Sequence, residues 1–356
     1  MPEVHIPTQE FVENLLTTKR QFQHDIICKP DELLAEVTYK NEEDKLGLTS
    51  YKLKRETNIP IVFTRSAISQ LLTKLKIRTD FYDRCPGYLQ QQIFNWFTDQ
   101  YGEKEYLLRF DPGFDITQEE NTSKDRNIRA VLTNRYGITD DNQLFPLVFD
   151  SLKDQNIEWR SFRYDDKISQ LYVNFPEATT VHGDQAYRGG LVITNSETGH
   201  SSTWIEPIVN AFGVQYMNRA TLQSQGVRCR FVHRGAGFTT EHTNELRNMI
   251  LAAKDISQVG IIQMIEASQQ IITKDHALAF ARSINGLPSR FLDTLEEEWE
   301  HEAEVNRAAA AQKILVAARE LPLFQRIQVE QATGQLVKVF DNYQARMQGI
   351  LEELNG

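Results

Sequence analysis

Two hydrophobic periods run along this chain, and the change from one to the other and back divides it into three regions. Up to residue 103 the apolar positions recur mostly every three or four residues, in TQEFVENLLTTKRQF (8–22), KPDELLAEV (29–37), RSAISQLLTKLK (65–76) and PGYLQQQIFNWFTDQY (86–101). Such spacing gives a helix one buried stripe, so this N-terminal region is predicted to be mainly helical, with Pro30 opening one helix and Thr64 capping another. IPIVF (59–63) is read as a strand.

From 104 to 238 the period falls to two, in KEYLLRF (104–110), RNIRAVLTNRY (126–136), EWRSFRY (158–164), SQLYVNF (169–175), RGGLVITN (188–195), SSTWIEP (201–207) and VRCRFVHR (227–234). Alternation of this kind predicts an antiparallel β-rich core domain. One helix, DDNQLFPLVFDSLKDQ (140–155), interrupts it, and Pro146 is expected to kink or shorten that helix. TQEENTSKD (117–125) reads as an exposed loop. Gly189-Gly190 is followed by no helix start, so RGGLVITNSETGHSSTWIEP (188–207) reads as a hairpin and not as a phosphate-cradling loop. Asn195 and Gly199 are expected to take left-handed angles in its turn, and the glycine pair to mark a bulge or a close approach.

Residues 239–356 return to helical spacing in TNELRNMILAAKDI (243–256), VGIIQMIEASQQII (259–272) and NRAAAAQKILVAARE (306–320), with almost no strand signal. Pro288 and Pro322 mark breaks, and 324–354 is expected to form a long terminal helix with Gly334 as its weak point. The predicted class is α+β: a central antiparallel sheet flanked by N-terminal helices, with a helical C-terminal region.

Composition narrows the function. A chain of 356 residues, 40% hydrophobic, can bury a real core in one large or two ordinary domains. It has no apolar run of membrane-spanning length and no secretory signal, so no membrane is expected as a partner. Cys28, Cys85 and Cys229 are far apart and odd in number, which fits free thiols in a reducing compartment. The net charge is −10, yet residues 49–79 carry seven basic groups against Glu56 alone, and residues 207–240 carry four arginines and no acid. Acid collects in LEEEWEHEAE (295–304), read as a solvated helix face.

Arginines recur on the predicted strands. Along VRCRFVHR, Arg228, Arg230 and Arg234 share one side with Val232, opposite Cys229, Phe231 and His233. In RNIRAVLTNRY, Arg129 and Arg135 share a side with Val131, opposite Ile128, Ala130 and Leu132. Arg160, Arg163 and Lys167 are interleaved with Trp159, Phe162, Tyr164 and Tyr172, and Arg188 precedes the glycine pair. Guanidiniums suit phosphates and aromatic rings suit bases, a combination that grooves for single-stranded nucleic acid use. The candidate binding set is therefore Arg129, Arg135, Arg160, Arg163, Tyr164, Lys167, Tyr172, Arg188, Arg228, Arg230 and Arg234. HExxH, a phosphate loop ending in Gly-Lys-Ser/Thr and Gly-x-Ser-x-Gly are all missing, and Cys229, His233 and His242 lack a fourth zinc ligand. No catalytic residue, metal or cofactor is expected. Asp140-Asp141 reads as a helix cap, and only a less favoured nuclease reading joins it with Asp111 and Asp115 as metal ligands.

RNIRAVLTNRYGITDDNQLFPLVFDSL, GLVITNSETGHSSTWIEP and LPLFQRIQVEQATGQLV, in this order, resemble a family of uncharacterised phage- and plasmid-encoded proteins. After Pro207 the chain departs from that pattern, IVNAFGVQYMN standing where arginine, cysteine and asparagine-glycine positions are expected. More loosely, the order of elements is similar to that of phage single-strand annealing proteins. That likeness implies a protein of the bacterial cytoplasm that binds single-stranded DNA or RNA, forms rings or filaments, and anneals strands without nucleotide hydrolysis. The alternative is a phage interaction protein whose acidic C-terminal helices bind a host defence or replication factor.

Overall fold

The structure, a computed structural model, describes residues 4–6, 25–39, 46–54, 59–101, 103–110, 127–165, 167–211, 214–217, 230–233, 240–299 and 303–337. The helix predicted over 8–22, the loop predicted over 117–125, and Cys229 lie outside them. The chain begins with β1 (Val4–Ile6), β2 (Ile26–Cys28), β3 (Leu33–Thr38), β4 (Leu48–Leu53), β5 (Ile59–Phe63), α1 (Arg65–Lys74), α2 (Thr79–Arg84) and α3 (Gly87–Gln100). Next come β6 (Tyr106–Phe110), β7 (Asn127–Thr133), α4 (Asp141–Leu152), β8 (Glu158–Tyr164), β9 (Ser169–His182), β10 (Gln185–Asn195), β11 (Thr203–Ala211), β12 (Val214–Met217) and β13 (Arg230–Phe231). Then follow α5 (Thr240–Gln269), β14 (Ile271–Thr273), α6 (Lys274–Arg282), α7 (Ser289–Glu298), β15 (Glu304–Asn306), α8 (Arg307–Ala317) and α9 (Leu323–Val337). Mixed sheets and helices make this an α+β protein.

The sheet is not single. A smaller, six-stranded sheet in the order β2-β6-β7-β5-β4-β3 joins strands from both sides of residue 104, and β5 and β7 pair in parallel. Four of its strands lie within 26–63, where helical spacing dominates the sequence reading. Pro30 opens only one 3-10 turn, closed by the Lys29 N–H donating to Glu32 Oε1 at 2.7 Å. Beyond it Leu33 and Ala35 point into the core and Leu34 and Glu36 away, a period of two that pairing with β4 fixes residue by residue. The helices predicted at 65–76 and 86–101 form as α1 and α3, and Thr64 Oγ1 caps α1 by accepting from Ala67 N at 3.2 Å. Their Leu71, Leu72 and Phe94 pack on Leu53, Ile61, Leu108 and Phe110. At the outer strand β3, the Asn95 side-chain amide accepts from Ala35 N at 2.8 Å and donates to Ala35 O at 3.0 Å.

The larger sheet runs β1-β8-β9-β10-β11-β12, with β13 against the start of β11, and all its pairs are antiparallel. Phe162, Leu171, Ile193 and Ile205 project from one face onto Phe145 of α4 and Leu246, Ile250 and Ala253 of α5. The opposite face is polar yet buried: Arg163, Gln170, Thr194 and Glu206 lie on it, and α9 reaches it through Glu330 and Gln331. Gly189-Gly190 sits where β9 and β10 lose register. A Cβ on Gly189 would come within 2.4 Å of Ser257 Oγ of α5, so the glycine admits the helix.

The C-terminal region is helical, as its spacing predicts, but 243–256 and 259–272 fall largely in one helix, α5, and β14 and β15 pair beside it. Trp299, Leu295, Ile314 and Leu336 fill the core there. Pro146 lies inside α4, which runs through it from Asp141 to Leu152. Glu296 of the acidic run pairs with Arg282, while Glu297 and Glu298 are exposed and Trp299 is buried.

Candidate functional site

Two predicted binding arginines sit at bulges, where one strand carries a residue its partner does not match. On β7 the register passes from Ala130 opposite Arg109 to Ile128 opposite Phe110, so Arg129 is the extra residue. The clean alternation expected over 126–136 therefore breaks: Ile128 and Val131 enter one core, Ala130 and Leu132 another. Arg129, turned by the bulge, pairs with Glu197. On β8 the extra residue is Arg160, exposed and 3.6 Å from Glu158.

Glu197 belongs to the hairpin turn between β10 and β11, and this turn is the point at which the two sheets meet. Gly199 supplies the left-handed angle, φ 76°, and a Cβ there would lie 2.5 Å from Leu132 of the smaller sheet. Asn195, expected to be left-handed too, instead ends β10 in the ordinary φ range. Its side chain donates to Thr139 O at 3.0 Å and Asp141 Oδ1 at 2.8 Å and accepts from Thr203 Oγ1 at 2.8 Å. Arg109 of β6, almost fully buried, donates to Asp25 at 2.9 Å, to Glu197 O at 2.7 Å and to Asp140 at 2.9 Å. Glu197 Oε1 accepts from Asp141 N at 2.9 Å, so a carboxylate from the turn meets the start of α4. Asp140 holds the N-cap position, but its own side chain makes no cap bond, which corrects the reading of that pair as a side-chain cap.

Burial pushes the Asp140 carboxyl up to about 6, with Glu197 adding to the rise and Arg109 opposing it; burial raises Asp25 as well. Burial also works against the Arg109 charge, but Asp140, Asp25 and Glu197 outweigh it and hold the guanidinium protonated. Burial lowers His233 to about 4, and its ring stacks on Tyr136 at 5.0 Å. The folded protein therefore binds a proton at Asp140 more tightly than the unfolded chain. That stabilisation is complete below the ordinary carboxylate range and is lost as pH rises through about 6. His233 acts the other way over the same window, because its unfolded imidazole takes up a proton that the buried ring does not, so the two contributions oppose each other. Asp140→Asn should therefore make stability rise with pH more steeply than in the wild type, by up to about 1.4 kcal/mol per pH unit, when unfolding is measured from pH 4 to 7.

The outer side of the same turn is built differently. Ser196 Oγ donates to Lys167 O, and the exposed Lys167 ammonium lies 5.8 Å from the Phe324 ring. His200 also faces that ring and shares a hydrogen bond with Ser66. Six residues on from Ser196, Ser202 Oγ accepts from Arg230 Nε at 2.9 Å, and the exposed Arg230 guanidinium stands 5.3 Å from the Trp204 ring. Trp204 and Arg230 are directly opposite on β11 and β13. Tyr136 donates to Ser196 O at 2.9 Å, and its neighbour in sequence, Arg135, is exposed.

Of the sequence-predicted set, Lys167 and Arg230 thus flank one turn, while Arg135 is exposed just past the end of β7. Arg160 and Arg188 are exposed on other parts of the larger sheet. Arg129 is largely buried against Glu197, Arg163 is buried against Glu330, and Tyr172 is wholly buried, so the exposed positions expected of these three are not what the fold gives them; in each case a distant segment supplies the partner or cover. Tyr164 is half-buried against Phe162. Arg228 and Arg234 lie outside the described residues. Sequence reasoning missed Trp204, Phe324 and His200. Trp204 had a signal, since it alternates with Ser202 and Glu206 on the polar side of its strand. Searches of protein-family models, curated proteins and solved structures find no match to this chain.

Proposed function

We propose that this protein binds single-stranded nucleic acid at the β10–β11 turn and does no chemistry on it. The observation carrying this reading is the Trp204–Arg230 pair, an exposed guanidinium beside an indole on adjacent strands. Lys167 beside Phe324 repeats the arrangement on the other flank of the turn. Guanidinium and ammonium neutralise phosphates, and a flat ring beside them accepts a base whatever its sequence. The buried Arg109 network supports the role by holding the turn rigid, so little order is lost on binding.

Titration of a labelled polythymidine oligonucleotide tests it. Contacts from Lys167 and Arg230 each add about −0.7 to the log-affinity against log-salt slope on single strands. Trp204→Ala is expected to weaken binding by about 5- to 150-fold, the 1–3 kcal/mol of one stacked base. Salt-independent affinity, or an unchanged affinity in the alanine variant, refutes the reading. Sizing the protein with and without the oligonucleotide reports assembly in the same experiment.

A further inference from the structure

The Trp204–Arg230 pair is one end of a longer row. Cross-strand register aligns Arg163, Gln170, Thr194, Trp204 and Arg230 across five strands of one sheet face. At about 4.8 Å per strand, the two arginines stand about 19 Å apart. One end of this row is open and the other is roofed by α9. Beneath the roof the Arg163 guanidinium lies 4.4 Å from the Tyr172 ring, donates to Gln170 Oε1 at 2.9 Å and holds both Glu330 oxygens at 3.1–3.2 Å. Tyr172 OH donates to Gln170 Oε1 at 2.6 Å and reaches Glu330 Oε2 at 3.5 Å. Arginine over an aromatic ring thus occurs at both ends of the row, and at the covered end a carboxylate fills the anion position.

The cover is made in an unusual way for a helix on a sheet. The stripe of α9 facing the sheet runs Leu323, Ile327, Glu330 and Gln331, apolar against Ile168 at its start and polar where it crosses Arg163 and Glu206. A buried ion pair contributes little net stability compared with an apolar contact of the same size, so its presence calls for another reason. Arg163 Nε, buried with the rest of the side chain, has no hydrogen-bond partner among the described residues, leaving a donor available to a ligand with more acceptor oxygens than a carboxylate.

We propose that Arg163 and Tyr172 form a second phosphate-binding subsite of the same nucleic-acid site, and that Glu330 of α9 occupies it until a strand displaces the helix. The inference rests on the function proposed above. Phe324, six residues before Glu330 on α9, is the ring that Lys167 faces, so a strand that takes Lys167 loosens the cover at its edge. Val329 and Leu336 keep α9 on the helical core as its polar stripe parts from the sheet.

Hydrogen exchange of the full-length wild-type protein tests this without any variant. With saturating polythymidine oligonucleotide, amides of Leu323–Gln331 should lose protection while those of α5 keep theirs. Affinity gives a second reading: Glu330→Gln should bind about 5- to 10-fold more tightly at low salt, with a slope steeper by about 0.7, one added phosphate contact. Arg163→Gln in the same chain should abolish that gain. Oligonucleotide binding that leaves α9 protection unchanged, with Glu330→Gln equal to wild type, overturns the displaced cover and leaves the turn site standing. No binding by the wild-type protein at low salt overturns the turn site, and the cover with it.

Discussion

Replacing Arg109 by leucine is expected to lower the unfolding free energy by about 3–5 kcal/mol, the cost of stranding buried charges by removing their partner. Arg109 is shared by Asp25, Asp140 and the Glu197 carbonyl, groups from three separate segments. Leucine fills much of the space but supplies no donor, and two carboxylates that burial already pushes up lose the cation that opposes the rise. Urea titration with intrinsic fluorescence measures the loss. A change below about 1 kcal/mol would mean that water reaches these acids and that the turn is not held as described. Adding Asp140→Asn to the leucine variant should recover part of the loss, because it removes one of the stranded charges. By contrast, Trp204→Ala removes a half-buried ring that packs on Ile256 and Ala252 of α5 without touching the buried charges, so its binding loss is measured beside its own, smaller stability loss.

Gly190→Val is expected to cost about 3 kcal/mol, the upper part of the range for overfilled cores. A Cβ at this position would lie 2.3 Å from Val173 O and 3.2 Å from Ile208 Cγ1, atoms of the strands on either side. The carbonyl belongs to the ladder and moves only if β9 and β10 separate. At Gly189 the nearest atom is instead the Ser257 hydroxyl oxygen, and a side chain turns more easily than a backbone, so Gly189→Ala should cost less. Thermal unfolding of the two variants side by side checks the order; equal losses would show that the bulge yields at either glycine.

Much of this architecture was readable from the chain. The strand EWRSFRY coincides with β8, and the hairpin reading of 188–207 holds, because alternation there is strong and the turn has a glycine where φ is positive. The bulges at Arg129 and Arg160 were not readable: one extra residue leaves the written pattern of alternation intact and shifts only the partner strand's count. Burial of the arginines was equally hidden. Whether a guanidinium faces solvent depends on its partner, and Arg163 finds Glu330 at a separation of 167 residues. The β3 strand was missed for a local reason, since Pro30 and two acids imitate a helix start and the pairing that overrides them comes from β4.

The two hydrogen bonds from Asn95 to Ala35 bear on how this protein meets its own copies. An outermost strand normally offers a row of free N–H and C=O groups on which another chain can nucleate, the usual beginning of edge-to-edge aggregation. Among the described residues no strand lies beyond β3, and at its middle a side-chain amide presents one donor and one acceptor as a further strand would. Strand addition is blocked at that position, because both backbone groups of Ala35 that a neighbour would use are already bonded.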